Sequence, residues 1–259
     1  MQISAKELRH LASEVDGMHH DAMKDFADAT SEVHLAVAQR SRRRFVRNAG
    51  LAGVGGALLT TMGGSLLPSF GGLAGVAGAQ GLTDTVIAGY AQSVELAAVA
   101  AFTAAAPALT GDPLAVATHF LGHHQQHADA FGKVAGDDAR PEANPKLVAA
   151  VTPTLETVAA GVADGKAGSA ELTAAVLEFA RVLENQAAYT YAAALTALSD
   201  PAYAAATSTI LPIEAQHATV LAIALGKGTD ELFPTGAFEA ATFGDGTDPK
   251  AGLDPAVFA

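Results

Sequence analysis

The chain contains no cysteine and no tryptophan, and only 6% of its 259 residues are aromatic. Without cysteine there can be no disulfide, no thiolate nucleophile and no sulfur-ligated cluster, so any metal must rest on histidine and carboxylate. Basic residues are also scarce, with 15 Lys and Arg against 27 Asp and Glu and a net charge of −12. That balance argues against a nucleic-acid partner, which needs clustered Lys and Arg to meet phosphates. What the chain has in abundance is apolar residues, at 50%. The length by itself allows one or two domains.

Residues 1–40 are polar. Ser4-x-x-Glu7 has the form of a capping box, and Leu8, Leu11, Val15, Met18 and Ala22 follow at helical spacing. This pattern predicts an amphipathic cytoplasmic leader helix, with His10, His19, His20 and His34 as solvated side chains. A start codon assigned too far upstream is the plainer account of this segment.

Ser41-Arg42-Arg43-Arg44-Phe45-Val46-Arg47 resembles the twin-arginine export signal of bacteria, with Arg42, Arg43 and Phe45 at its defining positions. No charged residue follows Arg47 until Asp84, and the run between is rich in Gly, Ala and Leu. Ala77-Gly78-Ala79 supplies small residues for cleavage, with Ala77 and Ala79 flanking the glycine. The resemblance implies a signal over 41–79, recognition by the twin-arginine translocation machinery, and delivery to the periplasm, the cell wall or the exterior. Contact with a membrane is expected only through this segment; an uncleaved membrane anchor is the alternative. Proteins using this route cross already folded, often with a cofactor loaded.

From Gln80 onward no strand alternation is present, and helices are expected over about 82–106, 113–134, 146–163, 169–198 and 201–225. Pro113 suits a first helical turn, Ser169 can cap the fourth helix, and Asp200-Pro201 opens the last. Pro153 is expected to interrupt one helix and Pro212 to kink another. The expected fold is all-α: a four-helix bundle over 80–226 with an additional helical segment, then an irregular tail over 227–259. Asp137-Asp138 and Asp245 to Asp248 are expected to be solvated turns, and Glu178 a surface residue.

Chemistry concentrates at Glu214-x-x-His217, two groups on one helix face surrounded by Ile, Val, Leu and Ala. A buried carboxylate without a partner is costly, so partners are required. The other helices carry Glu95, Glu184 and the histidines His119, His123, His124 and His127. Glu95 precedes His124 and His127 by 29 and 32 residues, and Glu184 precedes Glu214 and His217 by 30 and 33. The domain is thus two helix pairs of like design. His119 and His123, four apart, are an alternative inner pair. A metal-free polar network is a second account of all these residues.

At these positions the chain resembles the ferritin-like superfamily, and most closely its exported bacterial branch related to the desiccation-related proteins. That superfamily uses one Glu from each of two helices and Glu-x-x-His from each of the other two. The resemblance implies single glutamates at Glu95 and Glu184, an intact pair at Glu214 and His217, and His127 as the other histidine. His124 stands where the pattern has Glu. Tyr191 and His123 would stand behind these ligands. The implied cofactor is iron or manganese, two ions per chain, although the His124 departure makes a single ion conceivable. The implied chemistry is ferrous oxidation or peroxide disproportionation; a non-catalytic stress or cell-envelope bundle with a degenerate site is the alternative. A homo-oligomer is compatible with such a bundle but not implied by it.

Overall fold

A computed structural model describes residues 3–50 and 83–228, and of residues 32 and 34–50 it describes the backbone alone. The expected cleavage residues Ala77 and Ala79, most of the tail with Asp245 and Asp248, and the side chains of His34, Arg42, Arg43 and Phe45 therefore lie outside the description.

Six α-helices account for almost all of the described residues, and none of those residues is in a strand. They are α1 (Ala5–Gly50), α2 (Asp84–Ala105), α3 (Gly111–Ala135), α4 (Pro145–Ala163), α5 (Ala170–Ala197) and α6 (Pro201–Ala224). Helices α2 and α3 pack along one another, as do α5 and α6, and these two pairs make the four-helix bundle. Helix α4 crosses the outside of α2, whereas α1 lies against α3 and α6.

Polar side chains start these helices where the chain must leave water-facing turns. Thr83, Asn144, Ser169 and Asp200 each accept a hydrogen bond from a first-turn N–H, replacing a partner that the helix itself cannot supply. Asp84 ties the two ends together, accepting the N–H groups of Ser199 and Asp200 at 3.0 and 2.8 Å. Helix α6 ends on Gly226 at φ 73°, with Gly226 N–H donating to Ile223 and Lys227 N–H to Ala222. A left-handed glycine in that position satisfies the last carbonyls at little steric cost.

Three expectations shift in detail. Helix α3 begins at Gly111, two residues before Pro113. Helices α4 and α6 continue through Pro153 and Pro212 as single elements. At Pro212 the ring faces solvent, where water can serve the carbonyl it leaves unbonded, while Ile210 and Ile213 are buried and hold both flanks. Asp138 is not simply solvated: it accepts from Thr85 at 2.6 Å, and its backbone passes so close to Gly89 that a Cβ there would lie 2.0 Å from the Asp138 carbonyl oxygen.

The largest revision concerns α1. It is one 46-residue helix that passes position 40 unbroken, and it is seated on the bundle through Leu8, Ala12, Val15, His19, Phe26, Thr30 and Val33. Met18, expected on the apolar face, is 41% exposed. Apolar packing fills both ends of the bundle: Phe102, Phe120, Val176 and Leu221 belong to one core, and Phe131, Tyr191, Tyr203 and Ile210 to the other. Between these two cores lies a band of buried polar groups.

Candidate metal centre

Each bundle helix contributes to that band at mid-length. Helix α2 brings Glu95, α3 brings His124 and His127, α5 brings Glu184, and α6 brings Glu214 and His217, all at most 1% exposed. Helical geometry explains why three-residue spacings suffice, since positions i and i+3 project from one face. Two sets of four emerge, in each of which one ligand atom per residue lies within 4.8 Å of the others. One is Glu95, His124, His127 and Glu214; the other is His124, Glu184, Glu214 and His217. His124 and Glu214 are common to both.

The contacts are short and unevenly shared. His124 is engaged on both sides, with Nδ1 2.7 Å from Glu95 Oε2 and Nε2 3.2 Å from Glu184 Oε1. His217 Nδ1 lies 3.3 Å from Glu184 Oε2 and 3.4 Å from Glu214 Oε2. His127 Nδ1 is 2.8 Å from Glu214 Oε1, yet the ring N–H is not aimed at that oxygen. Consequently both ring nitrogens of His127 and both oxygens of Glu214 are buried without a hydrogen-bond partner. The Tyr191 hydroxyl donates to Glu95 Oε1. Phe120 stacks on the His217 ring at 3.9 Å, and Phe102 is tilted against His124 at 5.2 Å.

Burial alone would drive every one of these groups toward its neutral form, and the opposite charges overcome it. Burial depresses His124, but Glu184 and Glu214 raise it well above the usual imidazole range. His127 is likewise opposed by burial and lifted to about 9, first by Glu95, and His217 is raised mainly by Glu184. Against burial, His124 and His217 hold Glu184 far below the carboxylate range. Glu95 and Glu214 are also lowered, despite burial and the repulsion of a neighbouring carboxylate. Metal-free, the band therefore sets three imidazoles drawn toward their charged form against three carboxylates held in theirs.

These residues fit a metal. The donors are oxygen and imidazole nitrogen only, the set that suits iron, manganese and zinc. Orphaned polar atoms in a dry interior are costly unless something else binds them, and within the band they belong to His127 and Glu214, two residues of one four-residue set.

A match to the model of a known family, the ferritin-like domain, covers residues 79–227. The chain belongs to that family. No curated protein matches the chain, and no solved structure does. The ferritin-like bundle therefore supplies the fold and the mid-bundle position of the polar band, while the individual side chains must be argued from this chain.

Of the residues expected behind the ligands, Tyr191 touches Glu95, and His123 touches the band only through His217, its Nδ1 lying 2.9 Å from His217 Nε2. His119, the alternative inner residue, has a 54% exposed side chain and lies away from both sets of four. Glu178 pairs with Arg181 at 2.6 Å on the bundle surface. His19 was expected to be solvated and is not: it is 3% exposed and stacks on His123 at 3.7 Å. It sits four residues after Val15 on the buried stripe, and that phase was the signal that could have found it. Asp16, also unforeseen, reaches His123 Nε2 at 3.1 Å.

Proposed function

We propose that this ferritin-like protein holds two iron or manganese ions in the mid-bundle band. Glu95 with His127, and Glu184 with His217, would each serve one ion, Glu214 would be shared between the two, and His124 would serve one or the other through its single lone pair. The observation that carries this reading is that His127 and Glu214, buried and 2.8 Å apart, have no aligned hydrogen bond and stand among two overlapping four-residue sets. When bound, such ions supply one-electron redox chemistry and Lewis acidity. The chain's own contribution is to exclude water with its two apolar cores, to orient Glu95 through Tyr191, and to present imidazoles that give up protons as metal enters.

The activity in keeping with this centre is oxidation of ferrous iron or disproportionation of peroxide. His124 in place of a fourth carboxylate leaves three negative charges against the four positive charges of two divalent ions. That shortfall favours divalent over more oxidised states, which both reactions must pass through, so turnover slower than at a four-carboxylate centre is expected for either. We further propose export by the twin-arginine route, on the motif at Arg42, Arg43 and Phe45, with the bundle loaded before transport and stress protection outside the cytoplasm as the role.

The complete charge balance of the metal-free band favours a second reading, a non-catalytic bundle in which the six residues form a polar network. Elemental analysis of protein purified without added metal, for wild type and Glu214→Ala, separates the two. About two Fe or Mn per chain, lost in the variant, supports the dimetal centre. Metal-free protein that also takes up none of these ions on titration would overturn it.

A further inference from the structure

Helix α1 lies outside the residues matched to the ferritin-like domain, yet it reaches the candidate centre through a directed chain of polar contacts. Asp16 Oδ1 is 3.1 Å from His123 Nε2, His123 Nδ1 is 2.9 Å from His217 Nε2, and His217 Nδ1 faces Glu184 and Glu214 at 3.3 and 3.4 Å. We propose that, in the chain that still carries its N-terminal helix, Asp16 is a positioning residue for this centre, acting through His123 to set the tautomer and ring orientation of His217.

Donor and acceptor capacities fix the tautomers along this chain. An ionised carboxylate only accepts, so the nitrogen facing Asp16 must carry a proton. In a neutral imidazole the other nitrogen is then an acceptor, which makes His123 Nδ1 the acceptor for His217 Nε2–H. His217 is thereby left with Nδ1 as the atom that can offer a lone pair, and Nδ1 is the atom turned toward the shared carboxylate Glu214. Ring planes are held as well as tautomers. His19 lies on His123 with 10° between the planes, and Phe120 lies on His217 with 22° between them. Carboxylate-to-histidine contacts of this kind usually serve a metal-bound histidine directly. Here the relay has one extra imidazole, and its carboxylate comes from the N-terminal helix.

This inference rests on the metal-centre reading, and its test keeps the two apart. Full-length wild type, Asp16→Ala, Asp16→Asn and Arg9→Ala would be loaded with zinc, which is diamagnetic. Zinc release to a chelator and the ring-nitrogen NMR spectrum of His217 would then be measured. Asp16→Ala should release zinc about tenfold faster and lose the single Nε2–H form of His217. Asp16→Asn keeps a carbonyl acceptor and should retain that spectrum. Arg9 forms the exposed 2.6 Å ion pair with Asp112 that also fastens α1 to α3. Arg9→Ala should therefore leave release within about twofold of wild type. Zinc release and a His217 spectrum unchanged in Asp16→Ala would overturn the proposal alone, as would an Arg9→Ala protein equally impaired, because docking of α1 would then be the whole effect. An Asp16→Asn spectrum as altered as that of Asp16→Ala would overturn the tautomer assignment. Wild type that binds no zinc would overturn the metal-centre reading and this inference with it.

Discussion

The two helix pairs of the bundle are built to the same spacing and differ at one decisive position. In α5 and α6 the residue before the x-x-His is Glu214, and in α2 and α3 it is His124. Glu214 has both oxygens without a hydrogen-bond partner, whereas both nitrogens of His124 are taken by Glu95 and Glu184. At the matched position one helix pair thus presents a carboxylate free of aligned hydrogen bonds, and the other an imidazole already engaged by the protein. Exchanging a carboxylate for an imidazole also removes one negative charge and adds a proton that can be held or released. A band with four carboxylates and two histidines would repel itself more strongly when empty; this one matches three carboxylates with three imidazoles.

Removing the shared carboxylate should have the largest effect. Glu214→Ala is expected to abolish metal uptake in both halves and to destabilise the metal-free protein by about 3–5 kcal/mol, because buried imidazolium ions lose a partner. Elemental analysis and denaturant melts read the two parts separately. Glu95→Ala and Glu184→Ala break the halves one at a time, since each residue belongs to one four-residue set. Metal content should fall from about two ions to about one in each single variant. Equal loss of both ions from either variant would show that the halves do not bind independently.

The charge balance makes a pH prediction for the metal-free protein. His127 is raised from 6.5 to about 9, so its stabilisation is fully present below pH 6.5 and is lost as pH rises through 9. His124 and His217 are raised too and act in the same direction. Glu95, Glu184 and Glu214 are depressed below 4.5, so their stabilisation is present above that pH and is lost as pH falls. Metal-free protein should therefore be most stable near pH 5–6 and lose on the order of 3 kcal/mol toward pH 10 from His127 alone. Urea melts across that range check the slope, and metal-loaded protein should show much less of it. The smallest effect is expected from Tyr191→Phe, which removes one hydrogen bond to Glu95. It should cost about 1–2 kcal/mol in thermal melts and loosen the α2–α3 half more than its counterpart.

Much of this arrangement was legible before any coordinates. Helix spans from 82 to 225 followed from Pro, Gly and Ser/Asp punctuation, and structure placed their ends within about three residues of those marks. The six residues of the band followed from an isolated polar pair in an apolar helix and a spacing repeated across two helix pairs. The N-terminal helix and the apolar positions Leu8 and Val15 were expected, but its seating on the bundle was missed for a physical reason. Its apolar stripe is sparse and interrupted by small or polar members, Ala12, His19 and Thr30, so Leu11 and Met18 drew the phase off by about one residue. Histidine also carries no sign of burial in its residue type, and for His19 the phase with Val15 was the one local hint. Only the neighbour across 104 residues of chain, His123 stacked on His19, reveals why it is inside. The contacts of Asp16 with His123 and of Arg9 with Asp112 span 107 and 103 residues and left no local trace.

The length of α1 has a mechanical consequence. Forty-six residues of helix extend about 69 Å, against about 42 Å for the 28 residues of α5, the longest helix of the bundle. Among the described side chains of α1, Val33 is the last buried one, and Arg42 stands about 13 Å farther along the same rod. On the export reading, the twin-arginine positions are a handle on a shaft whose other end is wedged against His123. A receptor grasping that handle would meet a stiff lever when the bundle is complete and a slack one when it is not, so the state of the interior could be felt at a distance by torque alone.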